Sequence, residues 1–133
     1  MNQEGLLKGA RVLVAEDEYT IAMFLVDFLE LKGVTVVGPA GNLGKLNELL
    51  DQHEVDAALL DINLGGELVY PVADRLAAQG IPFLLTSGYD DNVPARFAGA
   101  PRCTKPYRLE VLATALEGLL AGAGAGPGSS PSA

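Results

Sequence analysis

The residues that could do chemistry arrive in four short clusters. Glu16-Asp17-Glu18 is a run of three acids, Asp61 is a single acid, Thr86-Ser87 is a pair of hydroxyls, and Lys105 is an ammonium followed by Pro106. Carboxylates brought to one place repel one another, and some take up protons unless a cation offsets them. An all-oxygen set suits a hard ion, and Mg2+ typically keeps several waters beside one or two carboxylates. With the ion present Asp61 stays ionised and can attack phosphorus, one of the recognised carboxylate roles being aspartyl-phosphate formation. A transferring phosphoryl group spreads negative charge over its oxygens, and Lys105 and Thr86 would answer it with a fixed charge and a hydroxyl donor. Singly, each has a plainer use: acids at a helix start, Asp61 as a loop cap, Thr86 bonded to backbone, Lys105 in solvent. The joint chemistry requires one fold to bring all four together.

Each cluster follows a short apolar run. Val12-Leu13-Val14-Ala15 leads into Glu16, Ala57-Ala58-Leu59-Leu60 into Asp61, Phe83-Leu84-Leu85 into Thr86, and the weaker Arg102-Cys103-Thr104 into Lys105. A fifth run, Val34-Thr35-Val36-Val37, carries no acid behind it. Near-continuous apolarity over this length suits strands covered on both faces. The stretches between them carry helical spacing: Ile21, Leu25, Phe28 and Leu29; Leu43, Leu46, Leu49 and Leu50, with Asn42 as N-cap; Val69, Val72, Ala73, Leu76 and Ala77; and Leu109, Leu112, Ala113, Leu116, Leu119 and Leu120. The stretch holding Val93, Pro94 and Phe97 is a poor helix pattern, and Gly33, Gly80 and Gly99 stand where helices need a left-handed stop.

Strands separated by helical crossovers imply an α/β fold: a doubly wound, five-stranded parallel sheet, (βα)5, in the flavodoxin-like order 2-1-3-4-5. The two more polar runs then fall at the edges. Ligands of such sheets bind beyond the carboxyl ends of the strands, beside the switch in strand order. All four clusters sit at carboxyl ends, so one rim receives them all.

Composition narrows the function. The 133 residues are about one domain's worth, with 49% hydrophobic and 20% charged residues. Acids outnumber bases 17 to 9 for a formal charge of -8, which argues against grip on nucleic acid or anionic lipid. One cysteine, Cys103, and one histidine, His53, exclude a disulfide framework, thiolate zinc clusters and multi-histidine metal sites. His53 reads as a helix-end residue favoured by the dipole, and Cys103 as a small hydrophobe in an edge strand. No apolar run approaches the ~20 residues of a membrane span, and the start lacks a secretory pattern, so a cytoplasmic location is expected. The expected organisation is a flexible lead-in over 1–9, one domain over 10–121, and a disordered Gly/Ala/Pro/Ser tail over 122–133.

Together Val12–Glu18, Leu59–Leu64, Leu85–Gly88 and Thr104–Tyr107 resemble the response-regulator receiver domain of two-component signalling, from about Ala10 to Ala121. The resemblance implies that Glu16 and Asp17 hold Mg2+, with the backbone carbonyl of Asn63 completing the metal shell beside Asp61. It implies Asp61 as phosphoacceptor, Thr86 and Lys105 as phosphoryl contacts, and a cis Lys105–Pro106 bond. Two features depart from the family pattern. Leu64-Gly65-Gly66-Glu67 stands where a Met-Pro pair is usual, and Arg102 replaces the aromatic switch three residues before the lysine. Pro82-Phe83 and Gly88-Tyr89 are similar to the FAT GUY receivers, often stand-alone, in which Thr86 and Tyr89 would form a different switch; the alternative for Tyr89 is an aromatic ring half-covering a loop.

The function expected on this basis is that of a stand-alone response regulator. It takes a phosphoryl group from a sensor histidine kinase or histidine phosphotransfer protein, then signals through an unknown downstream protein or acts as a phosphate shuttle. It is not expected to be an enzyme in the ordinary sense, nor to bind nucleic acid or membrane. The alternative is a phosphorylation-independent binding module on the same fold. An aspartate-based phosphatase would want a second Asp two residues after the nucleophile, where Asn63 cannot do acid–base work.

Overall fold

In the computed structural model, which describes residues 3–88 and 91–124, the chain begins with a 3-10 turn at Gln3–Leu6. It continues through β1 (Arg11–Ala15), α1 (Tyr19–Leu31), β2 (Thr35–Ala40), α2 (Leu43–Gln52) and β3 (Ala57–Asp61). A hairpin of β4 (Asn63–Leu64) and β5 (Glu67–Leu68) precedes α3 (Tyr70–Ala78). Then come β6 (Phe83–Ser87), a 3-10 turn at Ala95–Phe97, β7 (Arg102–Thr104) and α4 (Leu109–Gly124).

The main sheet is parallel in the order β2-β1-β3-β6-β7, which is the expected 2-1-3-4-5 once the hairpin is set aside. Successive strand residues point to opposite faces, so the apolar runs feed two cores at once. Leu13, Ala58, Leu60 and Leu85 join Leu46 and Leu49 of α2 and Val72 and Leu76 of α3 on one face. Val12, Val14, Leu59 and Leu84 join Leu25 and Leu29 of α1 and Leu112 and Leu116 of α4 on the other. The polar runs lie at the edges, as expected, and Cys103 is buried in β7, where desolvation raises its thiol pKa.

Local signals behave as their chemistry requires. The Asn42 side chain accepts the Lys45 N–H at 2.8 Å, capping α2. Gly33 and Gly80 take the left-handed conformation, with φ of 91° and 73°. His53 is the C-cap of α2, its Nδ1 3.4 Å from Arg11 Nη2.

Several expectations need correction. Among the described residues the fourth crossover holds no α-helix: Pro94 precedes a single 3-10 turn, closed by Ala98 N–H donating to the Ala95 carbonyl. Gly99 therefore has no helix to stop, and its φ is not positive. The stretch read as a flexible lead-in buries Leu7 against α1 and α4, and Gly9 N–H donates to the Gly33 carbonyl at 2.7 Å. Ile21 is not part of the buried stripe of α1, which is Ala22, Leu25 and Leu29; Ala77 is exposed on α3. Helix α4 runs to Gly124, past the expected boundary at 121, and residues 125–133 lie outside the described residues.

The hairpin was not anticipated. Gly65 and Gly66, with φ of 63° and 101°, form a two-residue loop pairing Leu64 with Glu67. Positive φ at both loop positions is the turn geometry whose twist matches a hairpin, and glycine accepts it without strain. Asn63 Oδ1 fixes the turn by accepting Gly66 N–H at 2.8 Å. A side chain at Gly65 would come within 3.4 Å of Asp17 Oδ2.

Candidate functional site

The acidic run divides its labour. Glu18 is the N-cap of α1, its Oε1 accepting Ile21 N–H at 2.8 Å. That is the helix-start role open to any of the three acids. Glu16 turns instead into the sheet's carboxyl end and is buried, its Oε2 accepting Glu18 N–H at 3.0 Å. Asp17 remains exposed on the rim. Each of Glu16, Asp17 and Asp61 offers an oxygen lying within 4.8 Å of the others'.

Asp61 closes β3 and is buried, with Lys105 Nζ donating to its Oδ2 at 2.8 Å. The same ammonium lies 3.6 Å from Glu16 Oε1. Two bonds brace the residues on either side. Lys105 N–H donates to the Ser87 carbonyl at 2.8 Å, and Ile62 N–H donates to the Thr86 carbonyl at 3.0 Å. Thr86 is buried and pairs in register with Asp61 across the β3–β6 ladder. The Lys105–Pro106 peptide bond is cis.

Electrostatics mark this as a strained group of charges. Burial pushes Asp61 above the ordinary aspartate range, opposed by the hydrogen bond and charge of Lys105. Burial likewise raises Glu16, and the neighbouring charge of Asp61 adds to it. For Lys105, desolvation pulls downward, but the bond to Asp61 and the charges of Asp61 and Glu16 prevail and hold it above its ordinary value. One cation paired with two of the three acids leaves negative charge in excess, so a second cation would relieve it. The oxygen-only donors and their spacing fit a hard divalent ion such as Mg2+. Glu16, Asp17 and Asp61 are the side chains that would hold it, with the Asn63 backbone beside them.

Glu16, Asp17, Asp61, Asn63, Asp91 and Lys105 line one open cavity, with Gly88 representing the end of β6. An apolar groove begins where that cavity ends, and Ile21, Gly88 and Lys105 border both. The groove is otherwise lined by Phe24, Pro106, Tyr107 and Leu109; Phe24 is 66% exposed. Burial, with the charge of Glu16 close by, raises the Tyr107 hydroxyl.

The fold thus gathers Glu16, Asp17, Asp61, Asn63 and Lys105 at one cavity, and buries Thr86 in register beside Asp61. Tyr89, expected as a switch residue, lies outside the described residues. Arg102 is exposed on β7, so that strand presents no aromatic side chain. Sequence reasoning passed over Phe24 and Asp91, and gave Tyr107 no role beyond its place in the Thr104–Tyr107 motif. Phe24 had a signal, a large apolar residue outside the buried stripe of its helix; Asp91 had none.

Residues 12–117 match the family model described as the response regulator receiver domain. The transcriptional regulatory protein PdtaR of Mycobacterium tuberculosis is 31% identical over 112 residues, 80% of this chain. The chain spans 55% of the length of that relative. The solution structure of SdrG from Sphingomonas melonis Fr1 is 39% identical, covering 90% of this chain and 99% of SdrG with a TM-score of 0.74. The BeF3-activated conformation of SdrG from Pseudomonas melonis Fr1 is 43% identical over 83% of this chain and 95% of that one, with a TM-score of 0.69. On its motifs, its sheet order and the matched span, this chain belongs to the response regulator receiver domain family.

Proposed function

We propose that the protein is a phosphoacceptor module in which a phosphohistidine, on a sensor histidine kinase or phosphotransfer protein, donates its phosphoryl group to Asp61. The observation that carries this reading is the contact of Lys105 Nζ with Asp61 Oδ2 at 2.8 Å, inside a cavity that also holds Glu16 and Asp17. A carboxylate oxygen of Asp61 forms the new P–O bond as the donor's P–N bond breaks. The electron pair of the broken bond stays with the imidazole nitrogen, which takes up a proton from solvent. Lys105 turns from the Asp61 carboxylate to the added phosphoryl oxygens, and Thr86 offers a hydroxyl donor. Mg2+, when bound, would neutralise the carboxylates and the charge of the transferring group. Water later hydrolyses the acyl phosphate and restores Asp61. The module is a substrate and a signal rather than an enzyme, its output passing through protein contacts or through its use as a phosphate sink.

The test is uptake of one phosphoryl group by the intact protein from a small-molecule phosphodonor with Mg2+, read by mass spectrometry. A wild-type protein that stays unlabelled while a control receiver is labelled would favour the phosphorylation-independent binding module.

The metal reading has a readout independent of transfer. Glu16→Gln keeps an oxygen for the Glu18 N–H and removes a buried charge, so it is expected to stabilise the metal-free protein by on the order of 1 kcal/mol at pH 7. The folded pKa of Glu16 lies above its ordinary value, so folding disfavours its ionised form. The variant's advantage should therefore be absent in acid, below the ordinary glutamate range, and grow as pH rises through it. Mg2+ should raise the melting midpoint of the wild type and barely move the variant's. Thermal denaturation at both pH values, with chelator or Mg2+, decides; equal Mg2+ stabilisation of the two would defeat the assignment.

The apolar groove is where a protein donor would seat. Phe24→Ala is expected to slow transfer from a phosphohistidine protein roughly tenfold, as loss of an exposed aromatic anchor does. Labelling by a small-molecule donor should be unchanged, since Phe24 borders the groove and not the cavity. Equal slowing with both donors would contradict it.

A further inference from the structure

Among the described residues, one carboxylate of the cavity belongs neither to the metal cluster nor to the motifs. Asp91 lines the same cavity as Asp61, yet it is not among the acids whose oxygens converge. Its Oδ2 accepts Gly88 N–H at 2.7 Å, a short bond of the charge-assisted kind. Gly88 lies just beyond the Thr86-Ser87 end of β6, at the border of cavity and groove. Two consequences follow for an anion arriving at Asp61. Its charge meets another fixed negative charge in a cavity whose lining holds one lysine. It also finds a backbone donor at the rim already engaged by a carboxylate.

We propose that Asp91 is an electrostatic brake on Asp61 phosphorylation, opposing the added phosphoryl charge and withholding the Gly88 N–H from the added oxygens. The proposal rests on the phosphoacceptor reading above. It makes Asp91 a residue that sets how far the reaction proceeds, without touching Asp61 itself.

A charge-only substitution isolates the effect. Asp91→Asn keeps a carbonyl oxygen for Gly88 N–H, preserving that contact, and replaces the negative oxygen by an N–H donor. Asp91→Ala removes the acceptor and frees the Gly88 donor. The probe is beryllium fluoride with Mg2+, titrated into the purified full chain and followed by 19F NMR and calorimetry. The asparagine variant is expected to bind it roughly threefold to tenfold more tightly than wild type at low salt, as one unit charge at a partly screened distance would dictate. The gap should narrow as salt is added. The initial rate of labelling by acetyl phosphate should rise in the same ratio. Asp74→Asn, which removes an equal charge outside the cavity, should change neither quantity.

Equal or weaker binding by a folded Asp91→Asn would overturn the proposal, as would an increase reproduced by Asp74→Asn. A gain in the alanine variant alone would assign the effect to the freed N–H and overturn the charge component. Failure of wild type and variants alike to bind the probe or accept phosphate would instead overturn the phosphoacceptor reading, which separates the two failures.

Discussion

Asp61→Asn is expected to leave a folded protein that takes up no phosphoryl group under conditions that label the wild type. The amide offers Lys105 an oxygen at the place of Oδ2, so the 2.8 Å contact has a neutral substitute and the fold is retained. An amide oxygen is not a usable nucleophile toward phosphorus, so the loss should be complete rather than graded. Thermal denaturation establishes folding, and intact-mass measurement with acetyl phosphate and Mg2+ reads the label. Persistent labelling of this variant would place the acceptor elsewhere and remove the foundation of the proposed function.

Lys105→Met should show the second large effect, on stability as well as reaction. The ammonium is the cation that both Asp61 and Glu16 contact, and each of those acids is only 4% exposed. Removing one partner of a buried ion pair costs more than forming it contributes, because the remaining charge is stranded. The lysine side chain is 28% exposed, so a discount for solvent is due, and a loss of about 2 kcal/mol at pH 7 without metal is expected. The raised pKa of Lys105 means that its stabilisation is fully present below the ordinary lysine value and is lost only as pH rises through the folded one. In acid the gap between variant and wild type closes from the other side, as Asp61 and Glu16 take up protons. Mg2+ should recover much of the stability without recovering the rate of labelling. Denaturant titrations across pH, with and without Mg2+, test this; a variant as stable as wild type at neutral pH in chelator would contradict it.

The parts of the fold legible in the sequence are those in which burial writes a pattern. Strands covered on both faces appear as apolar runs, and every run of the central sheet is found within a few residues of its place. From strand order alone the carboxyl ends of β1, β3, β6 and β7 had to share a rim, which placed Asp17, Asp61 and Lys105 before any distance was known. What stayed hidden has local or three-dimensional causes. Two-residue strands are too short to show alternation, although Gly65-Gly66 between Leu64 and Glu67 was a usable hairpin signal. Leu7 precedes any periodic element, so nothing in its neighbours announces its burial. The division of the acidic run into one cap and two acids that converge with Asp61 depends on where α1 begins, to a single residue. Exposure of Ile21 and Phe24 depends on how far α4 covers α1, which no spacing records.

The mounting of the opposite charges differs in stiffness. Glu16 follows β1 and Asp61 closes β3, strands with a neighbour on each side and helices over both faces. Lys105 follows β7, a three-residue strand bonded to a neighbour on one flank alone. Central ladders open last and margins first. The anions are thus held on bedrock while their counterion hangs from the shoreline, and whatever charge enters between them will move the lysine and leave the carboxylates standing.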